Sequence, residues 1–354
     1  MIHPDIMHRD RSQRDLQTWL SNFDTLEAKM KGLAGLKSEP EHQIAITLAL
    51  ALERFTSSGR MVFSLGKKLC AALSGIKLKV VRDELRLPFG SFFIDVSEAH
   101  PDIWIWGGDR TRWHRLGGAY LYVLPAGLVS GEAGKPYKEE SLGIIFWGKS
   151  NSNSIDASDD AVYHFIMPLS KIKSPDVGEY IKDRFSTDNF WHAVQDPLRS
   201  SDLSLDNKRS EEILKAFRLI LNTVLYVTSD EPDIGLDSRT ARRQVLEAKL
   251  FRAGPAKRPK VKRQLDKTTV CYIQRLAPGL EKSEEPTQSS SGVALHRVRA
   301  HFNRYWVGPS HEKYAKAKLK HPDQDKKLIK VFVSEYERGQ DLAGRVTGRT
   351  YKLE

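Results

Sequence analysis

The stretch SFFIDV, residues 91–96, decides the fold class. It is a short run of aromatic and β-branched residues, and three runs of the same kind follow: AYLYVLP (119–125), LGIIFWG (142–148) and AVYHFIMPL (161–169). Gly-, Ser- and Asp-rich turns separate them, which predicts four strands. Before these runs the texture is helical. Leu16, Leu20, Phe23 and Leu26 form one spaced apolar stripe, Ile44, Leu48 and Leu52 form another, and Met61 to Leu73 predicts a third helical stretch. After them, SEEILKAFRLILNTVLYVT (210–228) reads as a long buried helix opened by Ser210, with acidic residues in its first turn.

The pattern is α+β, without the strict βαβ alternation of a doubly wound sheet. It predicts a helical N-terminal part over residues 1–84 and a central α+β domain with a mixed or antiparallel sheet over 85–235. A basic and polar linker region is expected over 236–292, where RAGPAKRPKVKRQ (252–264) and EKSEEPTQSSSG (281–292) are poor in apolar residues. A basic C-terminal β-hairpin module follows over 293–354, its strands expected at 295–307 and 328–336.

Charge sharpens this division. The net charge is +11, but residues 231–354 hold 27 Lys+Arg against 15 Asp+Glu, a balance of +12, which leaves 29 against 30 for residues 1–230. A positive field confined to one third of a chain suggests contact with nucleic acid or with an acidic protein surface, although lysine-rich segments also serve solubility alone. The two cysteines, Cys70 and Cys271, lie too far apart in sequence to indicate a disulfide framework, and they are too few for a four-cysteine zinc site. No metal and no cofactor is expected. Neither a secretory signal nor a membrane span is legible, so the expected location is the cytoplasm.

Within the basic third, HRVRAHFNRYWVG (296–308) packs two His, three Arg, a Phe, a Tyr and a Trp into thirteen residues. At a strand period of two, Val298, Ala300, Phe302 and Trp306 share one largely apolar face, interrupted by Arg304 at the rim. Arg297, Arg299, His301, Asn303 and Tyr305 share the other, about 7 Å apart, a spacing suited to successive phosphates. Such a row binds RNA easily. Cleaving RNA would need a base, an acid and a cation, roles open to His301, to Tyr305 or His296, and to Arg299. A solvated strand face is the plain alternative. The run Lys257, Arg258, Lys260, Lys262 and Arg263 is a second candidate for nucleic-acid contact, or simply a solvated linker.

Two acidic positions are ambiguous. Asp95 closes an apolar strand, where a carboxylate either meets a partner's amine or a metal, or accepts hydrogen bonds from the turn that follows. Glu231 and Asp233, in EPDI (231–234), either serve a partner or order the chain reversal after the long helix. Phosphate-loop, dinucleotide and nucleophile-elbow motifs are missing; VSGEAGK (129–135) has Val129 where a phosphate loop needs Gly.

With these residues in hand, the chain resembles a family of phage- and plasmid-borne proteins that includes a type V-A anti-CRISPR acting on biogenesis of the effector nuclease. Three blocks carry the likeness: Leu87, Pro88, Asp95 and Ser97 in the first strand; Glu231, Pro232, Asp233 and Ile234 after an apolar helix with an aromatic near its end; and His296, Arg299, His301, Phe302, Tyr305, Trp306 and Gly308, with Ala300 where the family has Gly. The closing strand departs from the pattern, carrying Phe332 and no Pro in IKVFVSEYERG (329–339).

The resemblance implies recognition of a nascent client polypeptide on the ribosome, a CRISPR effector nuclease being one such client, with loss of the encoding mRNA. It implies partner-binding roles for Asp95, Glu231 and Asp233, with the ribosome or the mRNA as further partners in the cytoplasm of a bacterial host. A binding or recruiting protein is thereby favoured over an enzyme. The rivals are a metal-independent ribonuclease acting through the His/Arg/Tyr strand and a non-catalytic RNA- or DNA-binding protein.

Overall fold

The computed structural model describes residues 51–79, 85–107, 112–127, 138–149, 161–172, 203–230, 232–269, 271–278, 296–298, 300–315, 319–320, 325–333, 336–340 and 346–347, together with 177, 179–181, 280 and 317. The first strand, β1 (Met61–Leu65), has four of its five side chains buried, and β2 (Ser91–Asp95) has all five buried. Residues covered on both faces lose polar alternation, which is the signature of a central parallel strand. Accordingly β1 pairs in parallel with β2 on one side and with β8 (Tyr272–Leu276) on the other. Antiparallel neighbours complete the sheet. β4 (Arg112–Leu124) flanks β2, followed by β5 (Ser141–Lys149) and β6 (Ala161–Pro168), while β3 (Trp104–Gly107) pairs with β4 and β7 (Ile234–Leu236) pairs with β8.

Helices cover both faces. Leu69, Cys70 and Leu73 of α2 (Lys67–Gly75) and an almost unbroken buried run in the long apolar helix α4 (Leu203–Val227) pack on one face. Asn222, fully buried in α4, donates its amide to the Leu73 and Ile76 carbonyls at 3.0 Å each, closing the C-terminal end of α2. The opposite face receives Leu52 and Phe55 of the helical stretch α1 (51–57) against Val62, Phe93, Tyr120, Trp147 and Ile273. A short α3 (Leu169–Ile172) follows β6. Two further helices, α5 (Ser238–Arg252) and α6 (Arg258–Leu265), lie between β7 and β8.

The C-terminal part is β-rich. β10 (His301–Val307) pairs antiparallel with β12 (Lys327–Val333), which β11 (Leu319–Lys320) extends, and β9 (His296–Val298) pairs with β13 (Tyr336–Gln340), itself paired with β14 (Val346–Thr347).

The α+β class, the four strands and the long helix stand where the sequence places them, with α4 starting two turns before Ser210. Three local expectations fail. Met61–Leu65 is strand rather than helix, with the helix starting only after Gly66; a run apolar on both faces carries no period to tell the two apart. The linker expected over 236–292 contains α5, α6 and β8, one of the three parallel strands at the heart of the sheet. The strand expected over 295–307 is two strands in different sheets. The apolar stripes at Leu16–Leu26 and Ile44–Leu48 and the segment 281–292 lie outside the described residues.

Candidate functional site

Asp95, Ser64 and Arg275 stand in one register row across the parallel strands β2, β1 and β8, with Gly235 of β7 next in line. They share the carboxyl end of the sheet, where open α/β sheets present their binding crevices. Alternation puts all three on the face of Phe93, Val62 and Ile273.

A charged network surrounds this row. Asp237, only 2% exposed, caps α5: one carboxylate oxygen accepts the Arg239 N–H at 2.9 Å and the Arg239 Nε at 2.8 Å, and the other accepts the Arg275 Nε at 3.0 Å. Burial pushes the Asp237 carboxyl up, but the hydrogen bonds from Arg239 and Arg275 outweigh it and hold the group at about 2. Glu98, from the turn after β2, bonds the Arg275 Nη2 at 2.7 Å and approaches the Arg239 Nη2 at 3.5 Å. The outer partners are open to solvent, since Glu98, Arg239 and Arg275 are each a little under half exposed. The result is a half-exposed charged cluster, with two guanidinium groups held by the buried Asp237 carboxylate and the Glu98 carboxylate beside them. That chemistry suits the carbonyls and amines of an extended polypeptide.

A second cluster adjoins it. Tyr226, near the end of α4, bonds both backbone groups of Asp233, whose carbonyl also accepts the Ala277 N–H at 2.7 Å. Its ring meets Phe332 of β12 edge-on at 5.1 Å, and Phe332 meets Phe302 of β10 at 5.6 Å. Backbone bonds between Asp230 and Lys330, and from the Lys330 N–H to the Asp230 carboxylate, fasten the hairpin to the same corner. Three sequence blocks separated by more than 60 residues each, around Asp95, Asp233 and Phe302, thus converge on one end of the sheet.

A family model, AcrVA2-like, described as the anti-CRISPR type V subtype A2 family, matches residues 63–322, well over half of the chain. The chain belongs to the AcrVA2-like family. Among solved structures it is similar to the crystal structure of AcrVA2, at 14% identity and a TM-score of 0.42, covering 91% of each chain. No curated protein matches. Membership in this anti-CRISPR family supports a counter-defence role.

In this AcrVA2-like chain the residues picked out from sequence are placed as follows. Asp95 is buried, and one of its oxygens accepts the Ser97 N–H at 2.9 Å and the Ser97 hydroxyl at 2.6 Å, the turn-ordering arrangement. Asp233 is exposed, with its backbone fixed as described. Glu231 and Arg299 lie outside the described residues, as do the side chains of His296 and Arg297. Lys257, which precedes α6, and Arg258, Lys260, Lys262 and Arg263 within it are all exposed.

On β10 the two faces depart from expectation. Phe302 is buried and Arg304 reaches the rim, donating to the Lys79 carbonyl at 2.9 Å, but Trp306 is only half-buried. The other face is not an open polar row. His301 is half-buried and Asn303 exposed, yet Tyr305 and Val307 pack with Ala317, Tyr314, Ile329 and Val331 in a small apolar cluster of their own. Tyr314 and Ala317, from the segment between β10 and β11, give this face a cover that strand alternation alone does not reveal.

Sequence reasoning missed Asp237, Arg239, Arg275, Glu98 and Tyr226. One signal was present: Asp237 directly before SRTARRQVL is a helix N-cap pattern. Arg275 was hidden because its strand fell inside the supposed linker.

Proposed function

We propose that this AcrVA2-like protein recognises the N-terminal segment of a client polypeptide as it leaves the ribosome and brings about loss of the client's mRNA. The observation that supports this reading is the convergence of the three separated blocks on one charged, partly open corner. An emerging N-terminus offers an ammonium group and an extended backbone. The Glu98 and Asp233 carboxylates suit the first, and the Arg239 and Arg275 guanidiniums suit backbone carbonyls and acidic side chains.

A binding role is favoured over a ribonuclease. Proton transfer by Tyr305 needs its hydroxyl in reach of substrate, and that oxygen is buried beside the apolar cluster. The reading is tested by measuring the message of a type V-A effector nuclease in bacteria with and without this protein, alongside a copy whose start codon is disabled. Loss of the translated message alone is expected. Equal loss of both would overturn nascent-chain recognition.

A further inference from the structure

The helices α5 and α6 pack together as a hairpin whose composition the fold does not explain. Residues 238–267 contain eleven Lys+Arg and two Asp+Glu, so this segment alone contributes +9 of the chain's +11. No residue of α6 is buried. Its first turn has no acidic residue, and Lys257, Arg258 and Lys260 there oppose the helix dipole. On α5, Arg242, Val245, Lys249 and Arg252 recur at helical spacing along one exposed stripe. Among the described residues, the cations of this stripe and of α6 have no carboxylate partner, whereas Arg239 and Arg243 do.

Apolar groups accompany the charge. The large apolar side chains that stand exposed among the described residues are Leu236, just before α5, Val245 on the stripe, and Phe251 in its last turn. Phe251 is 90% exposed and sits between Lys249 and Arg252. Among the described residues, this phenyl ring stands in water beside cations that have no carboxylate partner, so it contributes nothing to their packing. It matches the chemistry of a base-stacking platform beside a phosphate track.

We infer that the α5–α6 hairpin is a single-stranded RNA-binding arm, in which Phe251 stacks on an unpaired base and the cations of both helices hold the neighbouring phosphates. The choice of RNA over DNA rests on the proposed action on mRNA; the stacking and the charge do not. Assigning RNA to this arm moves the nucleic-acid surface away from the β10 face, where Tyr305 is packed.

The test uses the purified full-length protein and a fluorescent oligouridine, with an oligothymidine, a blunt RNA duplex and poly-glutamate as comparison probes. Oligouridine should bind more tightly than the duplex and poly-glutamate, with affinity falling steeply as salt rises. Phe251→Ala should weaken oligouridine binding about 5- to 150-fold, the equivalent of about 1–3 kcal/mol for one stacked base, while Phe251→Trp keeps it. Lys249→Ala, Arg252→Ala and Arg258→Ala together should lower the slope of log affinity against log salt by about 2. The variants sit on exposed positions, so their melting temperatures should match the parent. Unchanged affinity in both variants, tighter binding of poly-glutamate than of oligouridine, or a clear preference for oligothymidine would overturn the inference. Because neither ribosome nor client is present, failure of nascent-chain recognition leaves this result standing, and failure here leaves client recognition standing.

Discussion

The hydroxyl of Tyr226 is clasped by a single residue: it accepts the Asp233 N–H at 3.0 Å and donates to the Asp233 carbonyl at 3.2 Å. The same ring holds Phe332, so one side chain ties the long helix, the EPDI turn and the C-terminal hairpin together. Burial, with the Asp233 carboxylate adding to it, pushes the phenol up to about 12, so the bonded neutral form persists at all working pH values. Tyr226→Phe keeps the ring contact and removes both hydrogen bonds between the hydroxyl and the Asp233 backbone. It should cost about 1–3 kcal/mol in denaturant unfolding. An unchanged midpoint would show that the clasp does not hold the corner.

Acid stability should carry two separable signatures. Burial pushes the His164 imidazole down to about 4, beside a hydrogen bond with the Tyr122 hydroxyl that the bare backbone of Gly143 makes room for. A histidine whose folded value lies below its unfolded value of about 6.5 destabilises the fold as pH falls between the two, by up to ~1.4 kcal/mol per pH unit. Wild-type stability should therefore decline from about pH 6.5 to about 4, and His164→Gln should remove that part of the decline in urea titrations across this range.

The second signature lies lower. Asp237 is held at about 2 against an ordinary value of 3.8, so its contribution is complete above the unfolded value and is lost as pH falls through the folded one. Asp237→Asn retains an oxygen to cap α5 while removing the ion pairs with Arg239 and Arg275. The variant should be less stable at neutral pH, and its stability should change less than the parent's between about pH 4 and pH 2. Parallel curves for the two proteins would contradict the network.

The two aromatic residues of β10 should separate cleanly. Phe302 is buried against Phe332, and Phe302→Ala should cost about 3–5 kcal/mol of stability. Trp306, half-buried, should cost clearly less on truncation to Ala. Equal losses would mean that Trp306 belongs to the core as the alternation of its strand first suggests.

What the sequence makes legible follows from where water lies. SFFIDV and its three companion runs, and the apolar α4, are bounded by polar turns, so their type is readable without a partner. The stretch Met61–Leu65 is buried on both faces and the strand Tyr272–Leu276 lies inside a region poor in apolar residues, so nothing local marks either as the middle of a sheet. The acidic positions were legible as candidates because Asp95 ends a strand and Asp233 follows a helix, but the network around them was not. Arg239 and Arg275 meet Glu98 only through pairings more than 130 residues apart, and no spacing rule along the chain reports a register between β1, β2 and β8. The face of Tyr305 is hidden for a related reason: its cover comes from Tyr314 and Ala317, beyond the end of its own strand.

Association with translating ribosomes tests the central claim most directly. Tagged protein expressed with a type V-A effector nuclease should sediment with polysomes carrying that message, and puromycin, which releases nascent chains, should remove it from them. Glu98→Ala and Arg275→Ala should weaken the association without lowering the yield of folded protein. Association that survives puromycin undiminished would contradict recognition of the nascent client at this corner of the sheet.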